Sequence, residues 1–213
     1  MSDGMDEHEQ GEKVRNWLQQ NGTSILFGLA LGLGGIWGVG KFQEVRGARF
    51  AEAGDQYNKL AEAVEKKDDA AIKALTEAMR KNYAKSPYAA LAALDESSRL
   101  IGEGKLEDAA KSLQWARDNK AMPELADLAA IRLARLQLAL DKPEDALKSI
   151  ETVTGTGFQA SAAEVRGDAL FAQKKFKDSL AAYETSLTHY DATSPRRSIV
   201  EMKRDDLATA EGT

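Results

Sequence analysis

Lys142-Pro143-Glu144-Asp145-Ala146-Leu147-Lys148-Ser149-Ile150 decides the fold, because the same pattern occurs three times. The copy before it is Lys105-Leu106-Glu107-Asp108-Ala109-Ala110-Lys111-Ser112-Leu113, and the copy after it is Lys175-Phe176-Lys177-Asp178-Ser179-Leu180-Ala181-Ala182-Tyr183. The starts lie 37 and 33 residues apart. Each copy opens a helix with a small residue at its fifth position, Ala109, Ala146 and Ser179, and a large one four residues on, Leu113, Ile150 and Tyr183. A preceding helix offers a small residue in turn, Ser97, Ala134 and Gly167. Small side chains on facing helices allow close approach, and the large ones fill the space beyond.

A period near 34 with two helices per unit is the tetratricopeptide signature. The alternative is an unrelated helical bundle with chance similarity. Working outward, the stretches around Tyr57–Leu60 and Asp69–Leu75 read as a degenerate first unit. The more polar segment Pro195–Ala208 reads as a cap on the other end, which a stack of repeats requires. Leu125, Leu128, Ile131, Leu133, Leu136 and Leu140 keep helical spacing, and no run alternates with period two, so no sheet is expected. Ser86-Pro87 and Ser194-Pro195 each place a cap before a first-turn proline. Asp141-Lys142-Pro143-Glu144 reads as a capping box, and Gly102-Glu103-Gly104 and Gly155-Thr156-Gly157 read as turns. Helices of 12–18 residues joined by such short turns pack antiparallel with their neighbours.

Upstream of the repeats the character changes. Asn16 to Gly40 contains no charged residue, and its apolar part, Gly22–Gly40, reads GTSILFGLALGLGGIWGVG. Those 19 residues make a helix of roughly 28 Å, close to the ~30 Å hydrocarbon core of a bilayer. Trp17 and Trp37 lie near its ends, where indoles favour the interface. Seven glycines suit a helix in water poorly, at about 1 kcal/mol each relative to Ala, but lipid leaves the backbone no better alternative. A buried soluble helix and a cleaved signal peptide ending at Gly38-Val39-Gly40 are the competing readings. The leader is long and acidic, so an uncleaved anchor is preferred. Gly28, Gly32 and Gly35 share one helical face, and Gly34 and Gly38 form a second small pair. These five either admit a neighbouring helix or reflect the general abundance of Gly in membrane helices.

The chain thus divides into an acidic tail, 1–21, a transmembrane helix, 22–40, and a repeat domain, 41–213. Met1–Glu12 lacks an apolar period and reads as flexible. Lys13 and Arg15 precede the helix, whereas Lys41, Arg46, Arg49 and Lys59 follow it. That count puts the C-terminal side in the cytoplasm, but it is least reliable when one flank is a folded domain. Composition alone leaves the orientation open.

The fold class expected is therefore all-α, a single N-terminal transmembrane helix followed by a tetratricopeptide-like solenoid of helical hairpins. Absence of Cys excludes a thiol nucleophile, a disulfide scaffold and a Cys-ligated zinc site. His8 and His189 stand far apart, each without a plausible second ligand. A net charge of −5 argues against a general nucleic-acid binder. Gly35-xxxx-Gly40-Lys41 imitates a phosphate loop, but Phe42 stands where magnesium binding needs Ser or Thr. Asn21-Gly22-Thr23 is formally a glycosylation sequon, but one that abuts the bilayer. No nucleophile–base constellation is visible, so a non-enzymatic role without cofactor or metal is expected.

A tetratricopeptide-like stack presents a concave face formed by the first helix of each unit. Projected from the small positions, that face carries Leu94, Ser98, Arg135, Leu138, Glu164, Asp168 and Phe171. Its mixture suits an extended peptide or a partner loop. The alternative is that several of these side chains pack against the neighbouring helix.

With anchor and repeats in place, the chain resembles the YfgM family, the tetratricopeptide-like ancillary subunit of the bacterial SecYEG translocon. The matching stretches are Val14-Arg15-Asn16-Trp17 with Asn21-Gly22, Tyr88-Ala89-Ala90-Leu91-Ala92 and Ile131-Arg132-Leu133-Ala134-Arg135. Gly155-Thr156-Gly157-Phe158 and Ala163-Glu164-Val165-Arg166-Gly167-Asp168-Ala169-Leu170 complete them. The resemblance implies an inner-membrane protein with a cytoplasmic N-terminus and a periplasmic repeat domain, against the positive-residue count. It implies SecYEG and the membrane-anchored periplasmic chaperone PpiD as partners, membrane lipid around the anchor, and a role in handing newly translocated chains to periplasmic chaperones. The rival readings are a scaffold or stress-response regulator that binds only folded partners, and a regulator or chaperone adaptor facing the cytosol.

Overall fold

The computed structural model describes the backbone of residues 3–211 and the side chains of residues 11–207. His8 and the side chains of Asp3, Asp6, Glu7 and Glu9 lie outside the described side chains. The described chain is helical throughout, without a strand: α1 Asp3–Glu65, α2 Asp69–Asn82, α3 Pro87–Gly102, α4 Leu106–Asp118, α5 Pro123–Ala139, α6 Pro143–Ile150, a 3-10 turn Thr156–Phe158, α7 Gln159–Ala172, α8 Phe176–His189 and α9 Pro195–Glu211. Two compact units divide the chain, Met1–Ala51 and Glu52–Thr213.

The first unit is the greater part of α1. This helix is long and apolar enough to cross a membrane, with a mean hydropathy of 1.6 over its best window. Leu26, Phe27, Ile36 and Trp37 are all exposed. A Cβ built on Gly28, Gly32, Gly34, Gly35 or Gly38 would meet nothing within 4 Å. The flexible head expected over Met1–Glu12 is corrected here, since Asp3–Glu12 forms the first turns of α1. A helix already formed by the apolar segment extends through neighbouring residues one hydrogen bond at a time, so this stretch needs no apolar period of its own.

The second unit is the repeat stack. Helices α3 and α4, α5 and α6, and α7 and α8 pack as successive hairpins. Four connections share one backbone device. Lys67, Gly104, Asp141 and Lys174 all lie in the left-handed region, at φ of 54°, 74°, 57° and 60°. The next amide then reaches back across the helix end: Asp68 N–H to Ala63 C=O (3.0 Å), Lys105 to Leu100 (2.8 Å), Lys142 to Gln137 (2.8 Å) and Lys175 to Leu170 (2.9 Å). This is the Schellman closure, which satisfies carbonyls that a helix end leaves orphaned. Its occurrence after Glu65 makes the end of α1 and α2 a genuine first hairpin, built as the other three are.

The same geometry corrects the capping box expected at Asp141. Asp141 is the left-handed residue that closes α5, and the residue at the N-cap of α6 is Lys142, which makes no side-chain cap bond. Helix α6 is also shorter than the expected 12–18 residues, at 8. Thr152, Val153 and Thr154 follow it, and β-branched residues favour helix poorly. The Thr152 hydroxyl donates to Ser149 C=O (2.9 Å). Buried Asp127 of α5 then accepts the amides of Thr154 (3.3 Å) and Gly155 (2.7 Å), fixing an extended loop instead of another turn. By contrast Ser86 caps α3 as its sequence suggests, accepting from Tyr88 N–H at 3.3 Å.

Core residues recur with the repeat. Ala109, Ala146 and Ser179 are fully buried, facing Ser97, Ala134 and Gly167. Leu113, Ile150 and Tyr183 fill the space four residues on. Hydroxyls in these tight places find carbonyls: Ser112 donates to Ala93 C=O (2.9 Å), Ser179 to Gly167 C=O (2.8 Å) and Ser186 to Ala160 C=O (2.8 Å). Helix α9 lies on α8 and buries Val200 and Leu207 against Tyr183 and Leu187.

Candidate partner-binding face

Counting back from each left-handed residue places equivalent side chains of the four hairpins in register. Three positions before it stand Val64, Ile101, Leu138 and Phe171. Six positions before it stand Ala61, Ser98, Arg135 and Asp168. Residues three apart share one side of a helix, so these rows form one ribbon along the stack. Val64, Ile101 and Phe171 are 43%, 43% and 50% exposed, which is unusual for apolar side chains recurring at one repeat position. Phe171 also pairs with Phe176 across the last turn, ring centroids 5.7 Å apart. Sequence reasoning found Leu138 and Phe171 but missed Val64 and Ile101. The count from the left-handed turn residue, Lys67 and Gly104 here, is the signal that finds them.

The seven expected face residues separate in the structure. Ser98, Arg135 and Phe171 are exposed, and Leu138 and Asp168 are half-buried. Leu94 does not belong to an open face. It is 3% exposed and sits in the core with Leu113, Leu133 and Leu136, because α5 packs over that side of α3. Glu164 is likewise withdrawn, at 0% exposed. Arg196 of α9 grips it with two bonds, Nε to Oε2 at 2.8 Å and Nη2 to Oε1 at 2.7 Å. Lys203 donates to it at 2.9 Å and Tyr190 at 3.2 Å, while Arg135 stands at 3.5 Å. Lys203 also reaches both oxygens of Asp168, at 2.7 and 2.9 Å, and the Tyr183 hydroxyl donates to Asp168 at 2.8 Å.

Burial opposes ionisation of Glu164, but the hydrogen bonds and charges of Arg196 and Lys203 outweigh it and hold the carboxyl below its ordinary range. Burial first, and then the Asp168 carboxylate, push the Tyr183 phenol well above its usual value. The cluster is therefore a structural clamp that fastens α9 to α7, with its charges consumed internally.

At the other end of the stack a cleft of about 470 Å³ opens among α1, α2 and α3. Its lining includes Leu60, Val64, Ile72 and Ala92 together with Asp95 and Arg99. The reason lies in α3. In turn register, Glu96 and Arg99 occupy the positions that Leu133 and Leu136 occupy in α5. The leucines are buried in the core that joins α5 to α3 and α4. Glu96 turns instead to Arg80, and Arg99 pairs with Glu103. Two residues that close the next interface are thus polar here, and space remains. The Tyr57 hydroxyl donates to Asp95 at 2.5 Å across the mouth, and burial and that carboxylate push its pKa up to about 12. Among the described residues no cluster of carboxylate or imidazole groups could hold a metal ion.

A family model described as a tetratricopeptide repeat-like domain matches residues 15–209. Curated relatives named "Ancillary SecYEG translocon subunit" match over most of the chain. The one from Escherichia coli (strain K12) is 30% identical over 95% of this chain and 97% of its own length. That from Haemophilus influenzae is 29% identical over 79% and 82%, and that from Neisseria gonorrhoeae 24% over 97% and 100%.

Proposed function

The chain belongs to the tetratricopeptide repeat-like family of ancillary SecYEG translocon subunits, and on that footing we propose that it is an inner-membrane subunit of the translocon that passes newly translocated chains to periplasmic chaperones. In this reading α1 spans the membrane with its N-terminus in the cytoplasm, and the repeat stack works in the periplasm. SecYEG is one partner and the membrane-anchored chaperone PpiD another. The reaction required is binding and release, without bond making.

The observation that carries the reading is the recurrence of exposed Val64, Ile101 and Phe171 at one position of the first, second and fourth hairpins, in a chain whose α1 is long and apolar enough to cross a membrane. A tethered binding face works at an effective concentration on the order of millimolar near its anchor. Affinity for a client can then be weak, as handover demands. An exposed, discontinuous apolar ribbon supplies weak, sequence-tolerant contacts.

Two measurements test the reading. The full chain, solubilised from membranes in mild detergent, copurifies with SecYEG and with PpiD; recovery of neither rejects the partner set. Because the chain has no Cys, single cysteines at Ser2 and Thr213 report orientation. An impermeant maleimide admitted past the outer membrane labels the Thr213→Cys chain in intact cells and spares the Ser2→Cys chain. The opposite pattern places the stack in the cytosol and supports the regulator reading instead.

A further inference from the structure

We propose that the cleft between the first and second hairpins is a peptide site that takes an apolar anchor side chain with a basic residue beside it. This deepens the translocon reading by giving a client or partner segment its chemistry. Three observations meet at the cleft. Its floor is apolar, built by Leu60, Val64, Ile72 and Ala92, and its volume of about 470 Å³ admits one or two large side chains. It is lined by three carboxylates, Glu65, Asp95 and Glu96, against the single cation Arg99. Glu96 is neutralised by Arg80, which leaves Glu65 and Asp95 to favour a positive flank.

The third observation separates a peptide from a lipid tail. Thr76 lines the cleft at 2% exposure, and its hydroxyl has no hydrogen-bond partner. Arg99, also in the lining, keeps its Nε buried without a partner. A buried unpaired donor or hydroxyl is costly, and native structures keep such groups for a reason. A peptide backbone provides both C=O and N–H groups to these atoms, whereas an acyl chain provides neither. Tyr57 and Asp95, joined at 2.5 Å, stand at the mouth, where a basic side chain competes for the same carboxylate.

The test uses the full chain in nanodiscs and a fluorescent twelve-residue peptide carrying Leu-Phe-Leu between lysines. Binding is expected, at least tenfold weaker for the same peptide with glutamates in place of the lysines, and at least tenfold weaker for a lysine peptide without the apolar triplet. Ala61→Phe, at an exposed lining position, and Asp95→Lys each lower affinity at least fivefold while the unfolding midpoint holds. Thr76→Val gives the sharper split: it raises the unfolding midpoint, because an unpaired hydroxyl is removed, yet weakens peptide binding severalfold. Equal binding of the lysine and glutamate peptides, unchanged affinity in Ala61→Phe, or displacement by lauric acid as effective as by unlabelled peptide overturns the site. Copurification of the unsubstituted chain with SecYEG is scored separately. Peptide binding that persists in a chain that fails to recover SecYEG counts against the translocon reading alone.

Discussion

Gly167 and Tyr183 face each other across the last hairpin so closely that a methyl group on the glycine would lie 2.4 Å from Cε1 of the ring. Neither helix is free to retreat. Ser179 donates to Gly167 C=O at 2.8 Å, and the Tyr183 hydroxyl is held by Asp168 at 2.8 Å. The equivalent small residues are Ser97 and Ala134, opposite Leu113 and Ile150. Those tolerate a Cβ because their partners are narrower than a phenol.

Gly167→Ala is therefore expected to destabilise the stack by about 1–3 kcal/mol, the usual cost of forcing an extra methyl into a packed interior. Tyr183→Leu in the same chain should recover part of that loss, since it widens the contact that the methyl violates. Chemical unfolding of the detergent-solubilised chain, followed by circular dichroism, measures both. Additive effects in the double variant would show that the two residues are not in contact.

Glu164→Gln should cost about 1–3 kcal/mol, because it removes the counter-charge of half-buried Arg196 and leaves Lys203 with Asp168 alone. The pH dependence follows from the carboxyl's lowered folded pKa. Its stabilisation is fully present above its unfolded value of about 4.3 and is lost as pH falls through the folded value. Unfolding midpoints measured between pH 3 and 7 should fall steeply on the acid side in the native sequence and more shallowly in Glu164→Gln. Parallel profiles would remove Glu164 from the account of acid sensitivity.

The left-handed lysines offer a gain. Lys174 holds φ at 60° where Gly104 does the same work in the second hairpin. A residue with a Cβ pays about 1–2 kcal/mol there, partly offset by the greater unfolded-state freedom of glycine. Lys174→Gly and Lys67→Gly should each raise stability by about 0.5–1 kcal/mol, read as a shift in the urea midpoint with unchanged slope. A loss in either would mean that its lysine stem makes contacts worth more than the strain.

The nine-residue pattern and the small positions made the hairpin fold readable, because close helix approach constrains residue size directly. Lys67 shows where that reading weakens. The first hairpin lacks the pattern, but its turn keeps the backbone closure, and closure is a property of φ that a lysine conceals. Leu94 and Glu164 show a second limit. Their repeat position faces the concave side, but whether a face is open depends on the neighbouring helix, α5 in one case and α9 in the other. The cleft was not legible at all. It arises from Glu96 and Arg99 replacing interface leucines, and that needs the register of α3 against α5, which spacing alone does not give.

The exposed ribbon makes the functional prediction separable from stability. Phe171 and Ile101 are about half exposed, whereas Leu94, one helical position set away, is 3% exposed. Phe171→Asp and Ile101→Asp should shift stability by no more than about 0.5 kcal/mol, as is usual for exposed positions. Leu94→Asp should prevent folding, because an unpaired carboxylate in that core has no partner. If the ribbon binds the translocon or its chaperones, the Ile101→Asp and Phe171→Asp double variant should remain in the membrane and keep its helical signal while copurified SecYEG or PpiD falls several-fold. A variant that folds, inserts and still recovers both partners at native levels would move the binding surface elsewhere on the stack. The depth of the effect would also distinguish partners. A folded protein resting on the whole ribbon should be sensitive to both positions, while a short segment seated at one end should respond to only one of them.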